Sequence, residues 1–127
     1  MFRLLVAGGR DFYDYQFIER ALDNWFNEKL AEDPSVWEDG IILVHGDASG
    51  VDRIAAQWAK YNLHIPEPHP ADWNKGKGAG PIRNAEMIES GLDYAILFPG
   101  GRGTANMKSQ LVKANIPFHE VLDSQYV

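Results

Sequence analysis

The sequence predicts an α/β fold, a three-layer sandwich in which a mostly parallel sheet of about five strands is covered by helices on both faces. Three observations carry this expectation. Short apolar runs recur at FRLLVA, IILVH and YAILF. Segments with apolar residues at helical spacing alternate with them. Each of those runs stops at or just before a glycine, as strands that feed tight turns do. The length of 127 residues fits one domain spanning 1–127, with enough chain to bury a core.

The elements follow in order. Residues 2–7 form a strand buried on both faces, ending at the Gly8–Gly9 pair. In residues 15–30, Phe17, Ile18, Ala21, Leu22, Trp25, Phe26 and Leu30 recur at helical spacing, with Asp14 as candidate N-cap. Residues 31–40 (AEDPSVWEDG) are acidic, contain Pro34 and read as a surface loop. A second strand spans 41–45 and a second helix 51–62, with Ile54, Ala55, Trp58 and Ala59 inward. Residues 64–71 (HIPEPHPA) carry three prolines at alternate positions and make a short edge strand at most. A flexible loop over 72–81 precedes a helix at 82–90, a strand at 94–98, a helix at 104–114 and a final strand at 117–122. Strands alternating with helices in this way make a Rossmann-like sheet with right-handed crossovers, whose ligands sit beyond the carboxyl ends of the strands, near the point where strand order reverses.

Charge and composition narrow the function. Twelve Lys and Arg against eighteen Asp and Glu leave a net charge of -6, which disfavours a nucleic-acid partner held by a basic surface. The acid is uneven, because residues 11–39 hold nine acidic side chains and two basic ones. No apolar run is long enough for a membrane span, and the chain opens without a signal-peptide pattern, so cytoplasmic residence and no membrane partner are expected. Without cysteine there are no disulfides, thiolate metal sites or cysteine nucleophiles. His45, His64, His69 and His119 show no HExxH pairing, so neither a metal nor another cofactor is expected, and His45 at a strand end reads as a hydrogen-bonded structural residue. A P-loop motif, a GxGxxG after the first strand and a GxSxG elbow are all missing. The aromatic-rich helix at 15–30 fits a homo-oligomer face and core packing equally well.

Ten of twelve glycines fall in four clusters, namely Gly8 and Gly9; Gly46 and Gly50; Gly76, Gly78 and Gly80; and Gly100, Gly101 and Gly103. Three follow predicted strands and one precedes a helix, so all four can converge on one sheet edge. In FPGGRGTANM, a strand ends at Phe98, Pro99 and the glycines turn the chain, and a helix starting near Thr104 would direct unpaired amides outward, an anion cradle suited to phosphate. The loop GDASGVD has the same placement. Ser49 there either caps the following helix or turns its hydroxyl to a ligand, and Asp52 sits in the first helical turn, where the dipole favours a carboxylate. Arg10 and Arg83 offer forked donors beside Gly-rich turns, and Trp73 or Phe12 could stack on a base.

Taken together, GGRDF at 8–12, HGDASGVDRIAAQWA at 45–59, ADW at 71–73, AGPIRNAEM at 79–87 and FPGGRGTANM at 98–107 resemble the YspA-like group of the SLOG superfamily, which contains the LOG phosphoribohydrolases and DprA. The resemblance covers residues 2 to about 122. It implies a Rossmann-like fold and a pocket for a nucleotide or a nucleotide derivative such as an ADP-ribose species. It marks Gly9, Arg10, Gly46, Gly50, Asp52, Arg83, Asn84, Gly100, Gly101, Gly103 and Thr104 as pocket residues. LOG enzymes resemble the chain through PGGxGTxxE, but Met107 stands where their catalytic Glu would be. Met neither accepts a proton nor stabilises an oxocarbenium-like centre, so the expectation is a binding or sensing domain. A nucleotide N-glycosidase drawing its carboxylate from Asp52, Glu86 or Asp11 is the alternative, and a DprA-like single-strand DNA binder the weakest one.

Overall fold

The computed structural model describes residues 1–122. In chain order the elements are β1 (Phe2–Ala7), α1 (Tyr15–Glu32), α2 (Ser35–Asp39), β2 (Ile41–His45), α3 (Val51–Tyr61), β3 (Ile65–Pro68), a 3-10 turn (Trp73–Gly78), α4 (Ala79–Glu89), β4 (Tyr94–Leu97), α5 (Arg102–Lys113) and β5 (Phe118–Glu120). All strand pairs are parallel and the sheet order is β3-β2-β1-β4-β5. The chain steps outward from β1 to β3, then crosses back to lay β4 against the other side of β1. Strand order therefore reverses at the β1/β4 junction, where the carboxyl ends open a crevice.

The period-2 alternation of β1 divides the core into two layers. Leu4 and Val6 pack with Phe17, Ile18 and Leu22 of α1 and Ile54, Ala55 and Trp58 of α3. Leu5 points to the opposite face, with Met87 of α4 and Met107 and Leu111 of α5. The aromatic side of α1 is spent on the first layer, as Trp25 and Phe26 pack against that core. Asp14 caps α1 by accepting from the Phe17 N–H at 3.1 Å, as expected for a short acid before an apolar-periodic segment.

Two expected loops are more ordered than the sequence suggests. Within 31–40, α1 runs on to Glu32 and α2 follows. Pro34 acts there as a starter, since its φ of -60° is already helical, and Asp33 accepts from the Ser35 N–H and hydroxyl while Val36 is buried. Within 72–81, Asp72 accepts from the Asn74 N–H to open the 3-10 turn. Helix α4 then begins at Ala79, three residues earlier than expected, with Pro81 in the first turn, where a missing N–H is harmless. Helix α5 likewise starts at Arg102, with Gly101 as N-cap, rather than at Thr104.

Strand β3 is the edge strand that the prolines permit. The His69 N–H donates to the His45 carbonyl at 2.8 Å, so by alternation the odd-numbered amides face β2 while Pro66 and Pro68 face outward. Side chains reinforce this edge. Arg3 on β1 reaches across β2 to Glu67 with two parallel hydrogen bonds of 2.9 and 2.7 Å, and its Nε donates to the Gly91 carbonyl at 2.6 Å. The hydrogen bonds from Arg3, and secondarily from His69, hold the Glu67 carboxyl down to about 2. Replacing Arg3 with Met is expected to lower stability by about 1 to 2 kcal/mol at neutral pH. Because the folded pKa is depressed, that contribution is complete above the ordinary carboxylate range and is lost as pH falls from about 4.5 towards about 2. Urea titrations of wild type and Arg3→Met at pH 7 and near pH 2.5 check it; a gap that does not shrink in acid overturns the assignment.

Candidate functional site

Three loops meet at the strand-order reversal. The turn after β1 brings Gly8, Gly9, Arg10, Asp11 and Phe12; the turn after β2 brings Gly46 and Ala48; the turn after β4 brings Pro99, Gly100 and Gly101. With Asp52, Arg83, Asn84 and the start of α5 they enclose a cavity of about 530 Å³. Hydrogen bonds lock the loops together. The Gly9 N–H donates to the Pro99 carbonyl at 2.8 Å, the Val51 N–H to the Gly9 carbonyl at 3.2 Å and the Ser49 hydroxyl to the Arg10 carbonyl at 3.1 Å. Ser49 thus neither caps α3, whose N-cap is Gly50 without a side-chain bond, nor lines the cavity. Gly50 is also outside the lining, and its role is to let the Gly9–Arg10 backbone pass.

Arg83 and Asp52 share the buried side of the cavity, at 8% and 5% exposure. Asp52 Oδ2 accepts from the Gly46 N–H at 3.0 Å and the Ala48 N–H at 3.3 Å, so this carboxylate holds the loop in place. Arg83 donates from Nη1 to the Gly46 carbonyl at 2.6 Å and from Nε to Asn84 Oδ1 at 3.0 Å. Gly46 is closely packed here, because a Cβ would displace the Arg83 guanidinium from its place and come within 2.9 Å of Asp52 Oδ2. Arg83 therefore has two nitrogens committed to protein acceptors, while Nη2 makes no hydrogen bond among the described residues. Asn84 is fully employed as well. Its amide donates to the Gly103 carbonyl and to Asn106 Oδ1, which also accepts from Gln110, and this ties α4 to the first turns of α5.

Burial raises the Asp52 carboxyl to about 6, although the amides of Ala48 and Gly46 and the Arg83 charge pull it down. Because the folded pKa lies above the unfolded one, proton uptake favours the folded state. Relative to Asp52→Asn, the wild type is expected to gain about 2 to 3 kcal/mol as pH falls from above 6 to about 4. Urea midpoints of both proteins at pH 4 and pH 8 measure this difference, and a pH-independent gap would contradict it.

The start of α5 is the cavity's most anion-suited wall. Its first turn holds no acid, its N-cap Gly101 provides no side-chain bond, and Arg102 stands at the first helical position. Helices ordinarily favour acids or a capping oxygen there, to meet the dipole and the unpaired amides. Arg102, Gly103 and Thr104 all line the cavity, with Gly100 packed against the Thr104 hydroxyl.

Other expected residues sit elsewhere. Trp73 is exposed and outside the lining, but its ring lies 4.7 Å from the guanidinium of Arg10 in a cation–π stack, while Phe12 does line the cavity. Among the candidate carboxylates, Asp11 and Asp52 line the cavity and Glu86 does not. Gly76, Gly78 and Gly80 do not join the other clusters; they shape the 3-10 turn and the entry to α4, and through α4 they deliver Arg83 and Asn84. Met107, which the sequence resemblance sets at the position of the LOG catalytic Glu, does line the cavity, beside Met87, which sequence reading left out because a methionine at helical spacing signals core; both belong to the second core layer. Met107 is 1% exposed. Among the described residues, no cluster of three His, Cys, Asp or Glu could hold a metal ion, and no helix is long and apolar enough to cross a membrane.

The chain is 38% identical over 126 residues to the gene 61 protein of Mycobacterium phage D29, covering 92% of this chain and 94% of that protein. The sequence model of the YspA, cpYpsA-related SLOG family matches residues 2–76, which contain β1, β2, β3 and the first two glycine clusters. The chain belongs to the YspA, cpYpsA-related SLOG family.

Proposed function

We propose that the chain binds a nucleotide or a nucleotide derivative of the ADP-ribose class, with its phosphates at the start of α5, and that it works as a binding or sensing protein. Membership of the SLOG family suggests nucleotide-related binding or processing. The observation that carries the finer reading is the uncapped, acid-free, arginine-bearing N-terminus of α5 opening into the cavity. Gly103 supports it. A Cβ there would meet nothing within 4 Å and its backbone is ordinary helix, so neither fold nor packing requires glycine. Clearance for a phosphate against the backbone does.

Binding is favoured over hydrolysis because the position aligned with a catalytic Glu is the buried Met107, and the Asp52 carboxylate is engaged by two amides. One observation supports the second reading, a nucleotide N-glycosidase. A carboxyl raised to about 6 lies in the range useful to a general acid. Calorimetry against nucleoside mono- and diphosphates, ADP-ribose and cyclic ADP-ribose isomers tests the first reading, and no saturable binding across the panel sinks it. Gly103→Ala is expected to keep or raise stability by up to about 1 kcal/mol while weakening the ligand about tenfold. Chromatography for released base, with Asp52→Asn as control, tests the second reading.

A further inference from the structure

A second hollow, of about 720 Å³, shares the Gly46–Gly50 loop with the first cavity but none of its lining residues. Gly46 and Ala48 face the first, while Asp47, Ser49 and Gly50 face the second. Within it, His45 at the end of β2 is 3% exposed. Its Nδ1 accepts from the Asp47 N–H at 3.0 Å, and burial holds the ring pKa down, so the neutral ring carries its proton on Nε2. That N–H has no acceptor among the described residues, although His45 lines the hollow. The ring is buried but this nitrogen is not sealed off, so its N–H is open to an acceptor that enters the hollow.

The surroundings say what kind of partner. Arg53 and Lys60 bring positive charge, and only Arg53 is met by an acid, Asp47 at 3.7 Å. Tyr13 and Tyr15 are each 53% exposed at the rim, and Pro66 and Pro68 add flat apolar surface. Two cations against one acid, an unengaged N–H donor on a fixed ring and two open aromatic faces suit an anion attached to a ring.

We propose that this hollow is a second ligand site for a small ring-bearing anion, either an aromatic carboxylate or a mononucleotide, whose anionic oxygen accepts from His45 Nε2 and Lys60 while its ring lies against Tyr13 and Tyr15. The proposal is independent of the ligand assigned to the first cavity.

Long-range ¹H–¹⁵N spectra of the histidine rings read the site directly, with 4-hydroxybenzoate, adenosine 5′-monophosphate and inorganic phosphate as probes in the wild type, the Arg53→Gln/Lys60→Gln double variant and Arg102→Ala. At least one ring-bearing probe is expected to shift the His45 resonances saturably below about 10 mM, to bind about fivefold or more weakly in the double variant, and to bind Arg102→Ala as it binds the wild type. The tighter of the two ring-bearing probes identifies the source of the anion. Four results would overturn the proposal: neither ring-bearing probe moves His45; phosphate alone binds as tightly as both of them; the double variant binds like wild type; or Arg102→Ala abolishes the shift, which would put the probe in the first cavity. All three substitutions are of solvent-facing side chains, and thermal melts verify that each variant folds.

Discussion

Gly50→Ala is expected to lower the unfolding free energy by about 3 to 5 kcal/mol and the melting temperature by on the order of 10 °C or more. Two penalties add. The residue sits at φ +74° and ψ -128°, a region that side-chain-bearing residues avoid. A Cβ would also collide with the Gly9 carbonyl oxygen and come within 2.6 Å of that of Arg10, both backbone atoms that move only if the loop moves. The same displacement would break the Val51-to-Gly9 and Ser49-to-Arg10 hydrogen bonds, so the cavity loses one wall as the fold weakens. Gly76→Ala is the matched control. Its φ is also +74°, but its added Cβ meets nothing within 4 Å, so only the conformational penalty of about 1 to 2 kcal/mol remains. Equal losses in the two variants would show that the packing of these loops contributes nothing.

Arg83→Ala is expected to weaken the proposed nucleotide-class ligand tenfold or more and to lower stability by about 2 to 3 kcal/mol. The stability loss has a named source, since the Gly46 carbonyl and Asn84 Oδ1 lose their charged donor and Asp52 loses the nearest compensating cation. The Asp52 carboxyl should then titrate above 6, and the pH dependence of stability should move upward with it. Calorimetry and urea titration between pH 5 and pH 8 read both effects. Arg83→Lys separates them, because it keeps a charge but not the fork that spans Gly46 and Asn84. If the Lys variant binds and unfolds like wild type, charge alone matters and the assigned hydrogen bonds are idle.

Much of this architecture is legible in the residues, for reasons that also explain the rest. FRLLVA, IILVH and YAIL announce themselves because central parallel strands are apolar on both faces. Glycines directly after those strands mark the loops of the cavity for the same local reason. Pro34 hides α2, since proline stops a helix or starts one according to the dihedrals that precede it. The Arg3 clasp leaves no local trace, because its partners Glu67 and Gly91 lie 64 and 88 residues away. Arg83, Asn84 and Ser49 have donors where a ligand-binding reading expects them, yet each spends a donor on a backbone carbonyl, that of Gly46, Gly103 and Arg10 respectively. Residue type reveals donor capacity, whereas its allocation depends on which carbonyls the fold leaves open nearby.

The outward prolines of β3 bear on how this chain behaves beside other copies of itself. A strand arriving at an open sheet edge must exchange N–H and C=O groups with it, and Pro66 and Pro68 present only carbonyls on that side. The Arg3–Glu67 pair fixes the same strand against β2, so it cannot slip by one residue and turn its amides outward. Pro66→Thr with Pro68→Thr would restore a donor-bearing edge, and fibril formation or edge-to-edge aggregation in concentrated solution is the hazard that the native dipeptide spacing suppresses.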